Sequence, residues 1–303
     1  MQDPTASFEE AGFLPNIYSL SQEFDYVQPR LTPIADVRRL PGTRQVLNVA
    51  VLECEQMPHK ILNTHGNFTK IFEKWLASGL VPFNIGRPGK KLSINTSTCV
   101  VKDGQYPTDL AAVDALLITG SFDSVNDDFP WIHTLRRYIS DVYTYQPHVK
   151  IFGGCFGHQL VAQALLTEHG ALVKKSQYGW EIGVHEVEYN SRFTEYFGLD
   201  TTTTQYQFLH CDHVILISAL PPNWICLGST PLCETQGLFE PGRVLTYQGH
   251  PEFPRDILYQ FVDRMGAAGV LSPEMYKISL NLIENEVDRV SAAVIAVAFL
   301  FEL

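Results

Sequence analysis

The stretch Ile151-Phe152-Gly153-Gly154-Cys155-Phe156-Gly157-His158-Gln159 constrains this chain more than any other. Val149 to Phe152 is an apolar run of strand length, while Leu160-Val161-Ala162-Gln163-Ala164-Leu165-Leu166 continues at helical spacing with good helix formers. A strand that passes into a helix through G-x-C-x-G is a sharp turn with a thiol at its apex. Glycines beside such an apex admit backbone angles that a β-carbon would forbid. The amides opening the helix point their partial positive charge at the sulfur, which favours the thiolate. A lone buried cysteine is more often a packing residue, but the strand before this one and the helix after it mark a reactive apex.

A thiolate nucleophile needs a base, and the base needs an orienting group. His250-Pro251-Glu252 supplies both residue types. The triplet follows the apolar run Arg243 to Gln248, which reads as a strand delivering Gly249 and His250 to its carboxyl end, where open α/β sheets place their sites.

The rest of the pattern agrees with that class. Val46 to Leu52 reads as a buried first strand, and His65 to Leu80 carries Phe68, Ile71, Phe72, Trp75 and Leu76 at the spacing of one amphipathic helix. Ala115 to Thr119 and Val149 to Phe152 are further continuous apolar strands with a helix from Trp131 to Tyr145 between them, the order expected of βαβ units. The expected fold is α/β, a doubly wound and mostly parallel sheet flanked by helices. After Gly170 the segments shorten and alternate: Glu181 to Tyr189, Gln205 to His210, Val214 to Ala219, Trp224 to Ser229 and Gly237 to Phe239 read as a small antiparallel insertion. Helices are expected over Asp256 to Met265 and Pro273 to Val290, and Ala292 to Phe301 as a terminal helix docking on the core. Residues 1–45 hold five prolines and no clear period, so they read as an extension preceding one domain over 46–303.

Composition excludes more than it identifies. A net charge of -11 without a Lys/Arg cluster argues against a nucleic-acid binder. The six cysteines lack C-x-x-C spacing, so neither a zinc ribbon nor a disulfide framework is expected, and a reducing, cytoplasmic setting is the simpler reading. The amino terminus lacks the basic start and apolar core of a secretory signal. The longest apolar run, Ala292 to Phe301, falls well short of the ~20 residues a spanning helix requires, so no membrane association is expected.

Taken together, G-x-C-x-G-x-Q around Cys155 and the distant His250-Pro251-Glu252 resemble the class I glutamine amidotransferase domain, whose fold is flavodoxin-like. Ala115 to Ser124 is similar to that family's oxyanion strand and loop. Tyr178-Gly179-Trp180-Glu181-Ile182-Gly183 and His210-Cys211-Asp212-His213-Val214 are similar to segments of its stand-alone branch, which includes γ-glutamyl peptidases. The resemblance spans about Asn48 to Glu252. It implies Cys155 as nucleophile, His250 as base and Glu252 as its orienting carboxylate, with backbone amides of Gly120 or Ser121 and of Phe156 forming an oxyanion hole. It further implies that Gln159 helps form the γ-glutamyl pocket. Glu181 and Asp212 are expected, from charge complementarity, to receive the substrate's α-ammonium. Trp180 would pack or contact a bulky leaving group. Neighbouring residues of a strand alternate faces, so His210, Cys211, Asp212 and His213 do not converge on a metal without a bulge. No metal or organic cofactor is expected.

The implied reaction is cysteine-dependent hydrolysis of a γ-glutamyl amide, the substrate being a small-molecule peptide, conjugate or glutamine itself, in glutathione-adduct processing or a specialised pathway. Two alternatives stay open at this stage. One is a glutaminase subunit feeding ammonia to a separate synthetase; the other is a catalytically silent binding module of the same fold, disfavoured because Cys155, His250 and Glu252 are all present.

Overall fold

The computed structural model describes residues 45–85, 89 and 91–302, so the extension expected over 1–45 lies outside the described residues except for Gln45. The chain opens with β1 (Val46–Glu53), α1 (His59–His65) and α2 (Phe68–Asn84). The single helix expected from His65 to Leu80 is therefore interrupted. Gly66 turns at φ +90°, a conformation open to glycine, and Asn67 caps the second helix by accepting from the Lys70 amide at 3.2 Å.

β2 (Ser93–Val100) follows, a strand that no apolar run announces. β3 (Ala115–Ile118), α3 (Pro130–Tyr145), β4 (Lys150–Gly154) and α4 (Phe156–Leu166) then form the expected βαβα run. Next come β5 (Ala171–Lys175), β6 (Glu181–Tyr189), α5 (Ser191–Phe197), β7 (Thr203–His210) and β8 (Asp212–Leu216). The short strands β9 (Ile225–Cys226), β10 (Gly228–Ser229) and β11 (Leu238–Glu240) lead to β12 (Val244–Tyr247). Three helices close the chain: α6 (Arg255–Ala267), α7 (Pro273–Ile283) and α8 (Arg289–Phe301).

The main sheet has the order β2-β1-β3-β4-β12-β11-β9. Its first five strands are mutually parallel; β11 runs antiparallel to β12, and β9, antiparallel to β11, returns to the direction of the first five. Apolar layers cover both faces: Val49 and Val51 of β1 join the layer that holds α2, α6 and α8, while Ala50 and Leu52 join the layer built on α3 and α4. With both faces buried, the central strands are apolar at nearly every position. β6, β7 and β10 form one small antiparallel sheet and β5 with β8 another.

The stretch Trp224 to Ser229, expected as one strand of the insertion, is two. β9 joins the main sheet, buried Leu227 intervenes, and β10 pairs with β6, where a β-carbon on Gly228 would lie 2.4 Å from the Glu188 carbonyl oxygen. β11, also expected in the insertion, belongs to the main sheet as well. The helix expected over Pro273 to Val290 ends at Ile283, because Asp288 caps a new helix by accepting from the Ser291 amide at 3.1 Å. That new helix, α8, docks on α2. A β-carbon on Gly79 would sit 2.3 Å from the Ala293 carbonyl oxygen, and Trp75 Nε1 donates to the Arg289 carbonyl at 2.9 Å. No helix among the described residues is long and apolar enough to cross a membrane.

Candidate active site

Cys155 stands between β4 and α4 at φ 50°, ψ -106°, and Glu302 is the one other non-glycine residue with positive φ among those described. A side chain held in so sparse a region carries roughly 1–3 kcal/mol of strain, tolerated when surrounding bonds over-determine it. Here the Cys155 amide donates to the Tyr247 carbonyl of β12 at 2.8 Å, and its own carbonyl accepts from the Gln159 amide at 3.1 Å. The flanking glycines have a different role from the one expected. Neither Gly153 nor Gly157 has positive φ. A β-carbon on Gly153 would lie 2.7 Å from the Gly157 carbonyl, and one on Gly157 would lie 2.4 Å from the Ile118 carbonyl oxygen. The glycines let α4 approach β3 and β4 closely, and the cysteine itself takes the strained angles.

His250 follows β12 through Gly249, whose β-carbon would fall 2.9 Å from the Gln207 carbonyl oxygen; the His250 amide donates to that same oxygen at 2.7 Å. His250 Nδ1 donates to Glu252 Oε1 at 2.8 Å, and both side chains are buried. The imidazole stacks on Phe253 with centroids 4.3 Å apart and planes within 3°. Arg289 fixes the turn by donating to the carbonyls of Pro251 at 3.1 Å and Glu252 at 2.9 Å. With Nδ1 committed to the carboxylate, the other ring nitrogen meets the Cys155 side chain. Burial works against a charged imidazole, yet the Glu252 carboxylate and the Cys155 sulfur outweigh it and raise the His250 pKa to about 10.

Over Cys155 lies a cavity of about 370 Å³. Gly120, Ser121 and Phe156 line it near the sulfur. A β-carbon on Gly120 would lie 3.3 Å from His250 Cε1 and 3.7 Å from Cys155 Cβ, so this loop is pressed against both side chains. Gln159 and Asp212 line the polar side with Lys175 and His210. Gln159 Nε2 donates to the Asp212 carbonyl at 2.9 Å and to Gln248 Oε1 at 3.0 Å, and Asp212 Oδ2 accepts from Ser124 Oγ at 2.5 Å.

Glu181 does not line this cavity. Its carboxylate is buried and takes His210 Nε2 at 2.8 Å, Gln236 Nε2 at 2.8 Å and Thr230 Oγ1 at 2.6 Å. Burial alone would raise its pKa, but the hydrogen bond and charge of His210, with Thr230 and Gln236, bring it below the ordinary value. The expectation that Glu181 receives an ammonium group is therefore corrected: it holds the wall from behind. Trp180 is half-buried, lines the cavity and packs on the core.

Two participants escaped sequence reasoning. Gln248 donates Nε2 to Cys155 Sγ at 3.6 Å; its one signal was a polar residue ending an apolar strand just before Gly249 and His250. Lys102 joins Glu55 Oε2 at 2.9 Å to Asp123 Oδ2 at 2.8 Å beneath the 120–124 loop. Burial opposes its charge, but the two carboxylates more than compensate and raise its pKa. No motif links these positions.

Comparison with known proteins agrees with this architecture. The sequence profile of the family described as Glutamine amidotransferase class-I matches residues 83–256. A glutamine amidotransferase-like protein of Schizosaccharomyces pombe is 30% identical over 259 residues, covering 84% of this chain and 99% of the relative. The chain belongs to the class-I glutamine amidotransferase family. Gamma-glutamyl peptidase 4 of Arabidopsis thaliana is 30% identical over 195 residues, 62% of this chain and 74% of that protein. Among solved structures, a glutamine amidotransferase from Thermotoga maritima aligns with a TM-score of 0.59 at 15% identity, covering 86% of this chain and all of that one, a likeness of fold.

Proposed function

We propose that this protein hydrolyses γ-glutamyl amide bonds through a glutamyl thioester on Cys155. The observation that carries the reading is the buried line Glu252–His250–Cys155, with the sulfur on a strained elbow under an open cavity. The sulfur attacks the γ-carbonyl carbon, and the carbonyl electron pair moves onto oxygen. Amides of Gly120 or Ser121 and of Phe156 donate to that oxyanion, each such donor typically being worth ~3 kcal/mol. As the intermediate collapses, the C–N bond breaks and His250 passes its proton to the departing amine. Water then attacks the thioester, His250 takes a proton from it, and glutamate leaves as the sulfur is restored. Glu252 keeps Nδ1 protonated so that the other nitrogen faces the reaction. Asp212 on the polar wall receives the α-ammonium, and Gln159 holds the Asp212 carbonyl in place.

Purified protein should release glutamate from a panel of γ-glutamyl peptides and amides, free glutamine included, without any partner. Turnover of glutamine alone, seen only when a synthetase is added, would overturn the stand-alone reading. Failure of a glutamine-like chloroketone to form an adduct on Cys155, read by mass spectrometry, would overturn the chemistry altogether and leave a silent binding module.

A further inference from the structure

We infer that the leaving-group side of this cavity is an apolar subsite built for an amine with an aromatic or bulky aliphatic body, an inference that rests on the hydrolase reading above. His250 hands its proton to the departing nitrogen, so that nitrogen is formed beside the imidazole and its substituent lies against whatever flanks His250. What flanks it is a chain of rings. Phe253 stacks on the imidazole at 4.3 Å, Phe261 lies 5.9 Å from Phe253, Phe122 lies 5.2 Å from Phe261, and Phe68 lies 6.1 Å from Phe253. All four rings line the cavity, and Met57 extends the same wall.

The polar part of the lining differs in kind: Lys175 and Asp212 bring charges of both signs for a zwitterionic glutamyl arm, beside Gln159 and beside His210, whose ring nitrogens hold Glu181 and the Asp212 carbonyl. The other carboxylates of the lining are already engaged: Glu55 by Lys102 Nζ at 2.9 Å and the Gln56 amide at 2.9 Å, Asp123 by Lys102 Nζ at 2.8 Å, Asp127 by the Ser124 amide at 2.7 Å and Asp128 by His133 Nε2 at 2.7 Å. Ammonia leaving from glutamine would use none of the aromatic wall, and a charged amine would lose hydration there without gaining a partner. Phe68, Phe253 and Phe261 are almost fully buried and back the wall, so Phe122 is the ring that offers surface, and a flat or branched apolar group would displace water from it while resting on the core behind. The wall therefore distinguishes amines by their apolar bulk.

The test compares γ-glutamylbenzylamide, γ-glutamylmethylamide, the mono-γ-glutamyl amide of ethylenediamine and glutamine by kcat/KM for glutamate release. Benzylamine and methylamine are both alkyl amines, so their amides differ chiefly in apolar bulk. The benzylamide should exceed the methylamide and glutamine at least about tenfold, and the cationic amide should be the poorest of the substituted ones. Phe122→Ala should reduce the benzyl-to-methyl ratio about tenfold, while Phe122→Leu keeps most of it. If the alanine variant does not fold, Met57→Ala reads the same ratio. Equal rates for benzylamide and methylamide, or a preference for the cationic amide, would overturn the subsite and leave the hydrolase intact. No glutamate from any of the four overturns the hydrolase reading, and the subsite with it.

Discussion

Two buried histidine–carboxylate pairs flank the cavity, His250 with Glu252 and His210 with Glu181, each joined at 2.8 Å. Distance and burial do not separate them; the second nitrogen of each ring does. In His250 that nitrogen meets the Cys155 side chain. In His210 it meets the Asp212 carbonyl at 2.9 Å, and Glu181 is closed off by Thr230 and Gln236. One pair ends on a cysteine sulfur, while the other ends on the backbone of the cavity wall. A histidine beside a carboxylate is thus a chemical unit only when one ring nitrogen remains for something that reacts.

The contrast breaks most severely at the sulfur. Cys155→Ala should lower glutamate release by a factor on the order of 10⁴ or more, as expected when a covalent nucleophile is lost. Turnover retained in that variant would remove the basis for treating the His250 pair as catalytic. The next effect concerns the carboxylate. Glu252→Gln keeps the shape but offers Nδ1 an ambiguous partner, so kcat should fall by roughly 10²–10⁴ with the fold retained, as judged by circular dichroism. A loss below tenfold would make Glu252 as much a support as Glu181.

What could be read from the sequence follows the same division. β1, β3, β4 and β12 were legible because burial on both faces makes them apolar at most positions. β2 was not, since it is the sheet's edge: Ser93, Asn95, Ser97 and Thr98 are exposed, and the strand is identified by its parallel pairing to β1. Cys155, His250 and Glu252 stood out because each lies in a short motif at the end of an apolar strand. The role of Glu181 was misjudged for a physical reason. Its donors, His210, Thr230 and Gln236, come from three other segments, and a carboxylate in a motif does not reveal whether it faces substrate or is already satisfied. Gln248 and Lys102 were missed for the same cause, their partners being set by folding rather than by spacing.

Glu181 then offers a sharper test, smaller in activity and larger in stability. Glu181→Ala strips His210, Thr230 and Gln236 of their shared acceptor in the interior. Breaking such a pair typically costs roughly 3–5 kcal/mol, a melting temperature lower by about 6–20 °C for a domain of this size. Activity per folded molecule should change less than about tenfold. Unchanged melting with a steeply raised KM would instead place Glu181 among the substrate's ligands. Because its pKa is lowered on folding, the stability it contributes is present above the ordinary carboxylate range and lost as pH falls through the depressed value, so the variant and the parent should converge in acid.

The subtlest difference between the pairs is their response to alkali. His250 is raised to about 10 in the folded protein against an ordinary value near 6.5. It holds its proton more tightly folded than unfolded, so its stabilising contribution is full below about 6.5 and fades as pH rises through about 10. In the proposed reaction the same proton is the one passed to the leaving amine. Glutamate release should therefore stay level from neutrality to about pH 9 and decline beyond it, when the free imidazolium is lost. The Glu252 carboxylate is the foremost influence holding that pKa up against burial, so the residual activity of Glu252→Gln should show its alkaline limb moved toward neutrality. Glu181→Ala, acting on the other pair, should leave that limb where it is. A limb unmoved in Glu252→Gln, or displaced equally in both variants, would mean that the two pairs are not electrostatically separate.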